Sequence, residues 1–197
     1  VSGDLLFLRA VVQKDGDDAY LLLKYASLCC NGAIEVTSGE VKHIGDPTET
    51  AIIYAAYKQG MEKSTLEEKY PRLAEIPFDS DRKLMTSINN IDGKIIAIVK
   101  GAFDAMIDKI ANGDKEGAHK ANEQMSSQAL RVLAVAYREL DEMPNELSAP
   151  AIESDLTLLG LVGMTDPPRK EAIAAVSVCR HAGIKPIMIT GDHAATA

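Results

Sequence analysis

The chain has 197 residues, 46% of them hydrophobic, and a formal net charge of −8. That length and apolar fraction can bury a core and form one domain, or one domain and part of another, while the acidic balance excludes the broad basic face that nucleic acids require, so any anion site must be local. The three cysteines, Cys29, Cys30 and Cys179, include no CxxC pair and read as core thiols of a reducing compartment rather than a disulfide framework. No metal site is expected from them, because adjacent residues on a helix point about 100° apart and Cys179 belongs to a different segment. Apolar runs such as VLAVAY at 132 to 137 fall far short of the roughly 20 residues of a membrane-spanning helix, so the chain reads as soluble. Its opening, VSGDLLFLRAVV, carries neither a basic n-region nor an initiator Met and reads as the start of an excised fragment.

In chain order, the first helical segment is DDAYLLLKYASLCCNG, residues 17 to 32, with acidic residues in its first turn and Gly32 placed to end it. GDPTETAIIYAAYKQG, residues 45 to 60, starts a second. There Asp46 is the N-cap, Pro47 the first helical residue and Glu49 the third, the far member of a capping box. A short helix from Ser64 to about Tyr70 stops before Pro71. Residues 82 to 89 and 94 to 100 alternate or run apolar around NNIDG, the pattern of a β-hairpin. Helices are expected over about 101 to 111 and 115 to 129, and strands at RVLAVAY (131 to 137) and LTLLGLVGM (156 to 164), with a Pro-containing loop from Met143 to Pro150 between the strands. The sum, over residues 1 to 165, is an α+β domain with a mainly antiparallel sheet flanked by helices.

From Asp166 the pattern changes. DPPRKEAIAAVSVCRHAG has Pro near its start, helical apolar spacing at Ala172, Ala175, Val176 and Cys179, and Gly183 as its stop; KPIMIT then reads as a buried parallel strand ending at GDH. A lone helix and strand cannot complete a doubly wound sheet, because parallel strands need neighbours and helical cover on both faces. Residues 166 to 197 are therefore read as the incomplete start of a second, α/β domain.

The hairpin raises a question of charge. Folded about Asn90 to Gly93, it sets positions summing to about 183 against each other, with a slip of one or two left open, and so brings Lys83 near Lys100. Like charges facing across a sheet are unfavourable by a few tenths up to roughly 1 kcal/mol, and something anionic should offset them. Phe78 precedes the hairpin and can offer a ring face; Lys100 is followed by Gly101 and a helix start, whose free N–H groups favour an anion. Ring, cations and helix terminus together point to a nucleotide. Each also has a plainer reading: Phe78 as core, the lysines as solvated strand ends, Glu49 as a cap, Arg131 as a strand-edge charge, and Asp192 as the cap of the next element.

Six stretches in order, GDPTE (45 to 49), FDSDRKLM (78 to 85), VKGAFD (99 to 104), LRVLAVAYR (130 to 138), GMTDPPR (163 to 169) and MITGDH (188 to 193), resemble the P-type cation-transporting ATPases, the calcium-pump branch most. The resemblance runs over nearly the whole chain. It implies a nucleotide-binding domain inserted into a haloacid-dehalogenase-like phosphorylation domain, with ATP as ligand and magnesium for the parent protein. Residue by residue, it implies that Phe78 stacks on adenine, Glu49 lies near the adenine amino group, Lys100 and Gly101 line the adenine and phosphate side, Lys83 is a pocket lysine and Arg131 reaches the phosphates. Asp166 falls in the DPPR hinge, and Thr190, Gly191 and Asp192 match the TGD element that faces the phosphates when the domains close. Phe103 departs from the pattern, since many relatives have Pro there.

The family's phosphorylated aspartate sits in DKTGT and its magnesium ligands in a later GDGxND, and neither stretch occurs here. Phosphoryl transfer needs an in-line nucleophile and a metal to neutralise charge. The resemblance therefore implies an ATP-binding cytoplasmic part of a membrane-embedded cation pump, with no catalytic residue of its own. Its partners are ATP and the phosphorylation, actuator and transmembrane domains of the same pump. Two other classes compete: a soluble dehalogenase-like phosphatase with the α+β region as its cap, which a catalytic DxD at a strand end would favour, and a stand-alone adenine-nucleotide sensor.

Overall fold

KIIAIVKG, residues 94 to 101, is an almost unbroken apolar run, and such a run suits a strand with helices over both faces. A computed structural model, which describes residues 7–9, 16–37, 40–165 and 170–187, places it at the middle of a sheet. The elements are β1 (Phe7–Arg9), α1 (Gly16–Leu28), β2 (Ala33–Thr37), β3 (Glu40–Ile44), α2 (Pro47–Lys58), α3 (Lys63–Lys69), β4 (Arg72–Asp79), β5 (Leu84–Ile91) and β6 (Lys94–Gly101). After these come α4 (Phe103–Met106), a 3₁₀ turn (Ile107–Lys109), β7 (Ile110–Asn112), α5 (Lys115–Ser127), β8 (Arg131–Leu140), α6 (Ala149–Ile152), β9 (Leu156–Thr165) and α7 (Lys170–His181). The large sheet runs β1-β9-β8-β6-β5-β4, antiparallel throughout, with β7 added parallel to β9. β2 and β3 form a separate hairpin.

Cross-strand partners share a face, and this sorts the core into two layers. Met85, Ile98, Val135 and Val162 pack with Leu22, Cys29 and Ile52 under α1 and α2. Leu84, Val99, Ala134 and Leu161 pack with Phe103, Met106 and Met125 under α4 and α5. A smaller cluster joins Ile88 and Ala97 to Ile152 of α6. This is the expected α+β architecture.

The structure corrects the hairpin register. Ile91 faces Lys94, so the turn is the two residues Asp92 and Gly93, both with positive φ (52° and 86°), as a type I′ turn requires. Facing positions sum to 185, Lys100 lies opposite Met85, and Lys83 falls outside the ladder. The helix expected over 101 to 111 breaks into α4, the 3₁₀ turn and β7, and α1 ends at Leu28, four residues before Gly32. Neither β4 nor the β2–β3 hairpin is among the elements expected from the sequence. In the loop after β8, residues 149 to 152 form α6. In KPIMIT, residues 185 to 187 carry no strand, and the remainder lies outside the described residues. Phe103 opens α4 and is buried, edge-on to His119, so the family's Pro position is here a core residue.

Candidate nucleotide site

Asp46 caps α2 as expected, its carboxylate accepting from the Thr48 and Glu49 N–H groups. Glu49, however, does not reach back to complete a capping box. Its Oε2 accepts from the N–H groups of Asn31 (2.7 Å) and Gly32 (3.0 Å), just past α1, and its Oε1 from Lys100 Nζ at 2.8 Å. Lys100 is only 5% exposed and also donates to Cys30 Sγ at 3.2 Å. Two expected site residues thus meet as a buried ion pair, and among the described residues one lone pair of Oε1 is still free to accept.

Burial disfavours the Lys100 charge, but Cys30, Cys29 and Glu49 outweigh it, and the ammonium is held above its ordinary value. Of these three, Glu49 carries the charge at neutral pH, since burial pushes the Cys30 thiol up to about 12 and raises Cys29 as well. Burial likewise works against the Glu49 carboxylate, yet Lys100 and the Asn31 and Gly32 N–H groups bring it below the usual value. A carboxylate lowered in the folded state stabilises above its unfolded value and loses that contribution as pH falls through the folded one; a raised lysine stabilises below its unfolded value and loses it as pH rises through the folded one. The pair therefore stabilises fully between about pH 5 and pH 10. Urea unfolding at pH 6 and pH 4 is expected to show a steeper acid loss for the parent than for Glu49→Gln; equal losses would mean Glu49 is not held below its ordinary value.

Phe78 lies near the end of the edge strand β4 and is 63% exposed. Ile76 faces Thr86 and Asp79 faces Leu84, so Pro77 and Phe78 stand together against Met85 in a bulge, a device that re-aims side chains. Met85 is the direct partner of Lys100. Phe78 and Lys100 are therefore two strands apart in the same row, about 10 Å between backbones.

The turn from Asp79 to Lys83 is fastened to the chain just after β6, at Ala102 and Asp104. Lys83 O accepts from Ala102 N–H at 3.1 Å, and exposed Lys83 Nζ pairs with exposed Asp104 at 3.0 Å. Lys83 and Lys100 thus do not oppose each other; each has its own carboxylate. Gly101 is buried where the chains cross, and a Cβ there would overlap Lys83 O and stand 2.9 Å from Leu84 Cα. Backbone cannot step aside as a flexible side chain can, so Gly101→Ala is expected to destabilise by about 2 kcal/mol in urea melts. Unaltered stability would show that the turn can relax.

Arg131, exposed at the start of β8, donates to Thr48 Oγ1 at 3.2 Å, which brings it to the first turn of α2 beside Glu49. Glu49, Lys100 and Arg131 converge there, and Phe78 with Lys83 lies across β5. Asp166, Thr190, Gly191 and Asp192 lie outside the described residues. Sequence reasoning missed Arg72, which ties β4 to the end of α1 by donating to the Leu28 and Cys30 carbonyls and to Asn31 Oδ1. It also missed Arg82 and Glu153. No spacing signal marks these long-range contacts.

The family model described as "P-type ATPase, cytoplasmic domain N" matches residues 18–171. The calcium-transporting ATPase of Bacillus subtilis is 43% identical over 191 residues, which cover 89% of this chain and 21% of that protein. Calcium-transporting ATPase 1 of Lactococcus lactis is 42% identical over 188 residues (89% and 21%), and a cation-transporting ATPase of Synechocystis is 38% identical over 180 (86% and 20%). The chain spans about a fifth of the length of these relatives. With that match over most of its residues, the chain belongs to the P-type ATPase family, as its cytoplasmic domain N.

Proposed function

We propose that this chain is the ATP-binding head of an ATP-driven cation pump and holds adenine nucleotide across β5, with the base on Phe78, its amino group toward the free lone pair of Glu49, and the phosphates toward Arg131. Lys100 fixes Glu49 and lines the pocket, and Lys83 can trade Asp104 for a phosphate. The observation that carries this reading is Phe78, 63% exposed in the β4 bulge and leading into a turn that is fastened to the chain just after β6. An apolar ring kept in water on a fixed support is in place for a flat ligand. Calcium is the cargo that the names of the Bacillus and Lactococcus relatives favour for the whole pump.

Residues 1 to 165 form the nucleotide-binding domain in this reading, and 166 to 197 begin the phosphorylation domain. β9 ends at Thr165, and the described side chains of α7 are largely exposed, with Ile173 at 56% and Val178 at 68%, as for a helix whose sheet is supplied by other residues. Among the described residues no three His, Cys, Asp or Glu side chains converge, so they build no all-protein metal cage, and magnesium belongs with the phosphates and the rest of the pump in this reading. Among the described residues no helix is long and apolar enough to cross a membrane, and the contacts proposed for this chain are with ATP and the rest of its pump.

Calorimetry with adenosine, ATP and GTP tests the proposal. The chain is expected to bind adenosine and ATP with modest affinity and GTP more weakly, and to release no phosphate. Arg131→Ala is expected to weaken ATP about three- to tenfold while sparing adenosine, with the loss shrinking as salt rises, because an exposed cation acts through screened charge. Sustained ATP hydrolysis by contaminant-free protein would contradict the proposal. Equal weakening of adenosine and ATP by Arg131→Ala would remove Arg131 from the phosphates.

A further inference from the structure

Two charged side chains are buried among the described residues, one on each side of the sheet beside the Phe78 turn: Lys100, under α1 and α2, and Glu153, at the end of α6. The first belongs to the site already described. The second, with no exposed side-chain surface, takes Arg82 Nη1 and Thr86 Oγ1 (2.6 Å) on its Oε1, and its Oε2 has no partner among the described residues. A buried ion pair is weak as a source of stability, because desolvation offsets its attraction, and an orphan carboxylate oxygen makes it weaker still. Its geometry is more informative. The second arm of Arg82, Nη2, donates to Pro77 O at 2.6 Å. Pro77 has no N–H with which to be held in the ladder, so its carbonyl is the available grip on the residue before Phe78. On the other side of Phe78, Asp79 Oδ1 accepts from the Asp81 (3.0 Å) and Arg82 (2.9 Å) N–H groups.

We propose that Arg82 and Glu153 are positioning residues for the aromatic platform: the buried carboxylate aims a planar guanidinium, whose free arm fixes the peptide on which the Phe78 ring stands. The proposal rests on the reading that Phe78 carries the base. It requires the fork of an arginine, since a lysine presents one ammonium point and cannot hold the carboxylate and the Pro77 carbonyl in the same fixed geometry. The substitution Arg82→Lys would keep the charge opposite Glu153 and lose the grip on the turn.

The experiment is adenosine calorimetry on the parent, Arg82→Lys, Phe78→Ala and the double variant, each with a melting curve. It is paired with fluorine NMR of protein carrying 4-fluorophenylalanine at its three Phe positions. Arg82→Lys is expected to stay folded and to lose part of the stacking, about threefold to tenfold in adenosine affinity. The double variant should bind no more weakly than Phe78→Ala alone, and the Phe78 resonance, assigned by its loss in Phe78→Ala, should shift or broaden while that of Phe103 stays in place. Glu153→Gln, which keeps the acceptor and drops the charge, should move the same resonance less. Parent-like adenosine binding by Arg82→Lys while Phe78→Ala is weakened overturns the positioning role and leaves the platform standing; so do losses that add in the double variant. Parent-like binding by Phe78→Ala overturns the platform itself, and the positioning role with it. If Arg82→Lys unfolds, Glu153→Gln decides alone: an unmoved Phe78 resonance with unchanged affinity overturns the proposal.

Discussion

Lys100→Met is expected to lower the unfolding free energy by about 3 kcal/mol, the lower end of the range for removing one member of a buried ion pair. Met keeps most of the buried stem and cannot carry charge, so the loss falls on Glu49. That carboxylate, with its side chain 15% exposed, would keep the Asn31 and Gly32 N–H groups and lose the one cation paired with it among the described residues. The two remaining donors are why the lower end of the range applies. For a domain of this size the change is a fall of about 6 to 12 °C in melting temperature. Glu49→Gln/Lys100→Met removes both charges and should recover most of the loss, because a neutral pair of similar volume avoids the desolvation that the charged pair must overcome. Urea melts of the two singles and the double measure the coupling. A Lys100→Met protein within about 0.5 kcal/mol of the parent would mean that Glu49 finds another partner or takes a proton. The expectation also governs how binding by Lys100 variants is read: a weakened ATP affinity reports the pocket only at temperatures well below the variant's own melting.

How much of this was legible in the sequence depends on whether the cause was local. The start of α2 was, because a cap, a Pro and their spacing lie within four residues. The β5–β6 hairpin was legible as a hairpin, but its register turned on whether NNIDG folds about four residues or about Asp92–Gly93 alone; the pair that tolerates positive φ twice in succession decides it, and the shift of two moved Lys100 from Lys83 to Met85. β4 was hidden by Pro77, which argues against a strand unless it sits at an edge or a bulge, and here it sits at both. The proposed site residues were picked out through motif order along the chain, which identifies positions but not their contacts. That Glu49 spends its carboxylate on Lys100 and the end of α1 comes from contacts 17, 18 and 51 residues apart. The same holds for Glu153, 71 residues from Arg82.

Phe78→Ala separates the platform from everything that merely holds the fold. Stacking of a base on an aromatic ring is worth roughly 1 to 3 kcal/mol, so adenosine and ATP should both weaken by about tenfold or more, by similar factors, since the ring touches what the two ligands share. The loss should barely change between low and high salt, because no charge is removed, in contrast to Arg131→Ala. Stability should move little, within about 0.5 kcal/mol, because Phe78 is already 63% exposed and removal of its ring opens no cavity. Weakened binding with an unchanged melt is thus the signature of a ligand platform, and a lowered melt with unchanged binding that of a packing residue. Phe78→Tyr keeps the ring and should bind like the parent, which guards against a simple effect of altering the bulge. If Phe78→Ala and Arg131→Ala both bind ATP as the parent does, the nucleotide lies on another surface, and the convergence of Glu49, Lys100 and Arg131 on the first turn of α2 is a structural joint between α1, α2 and the sheet.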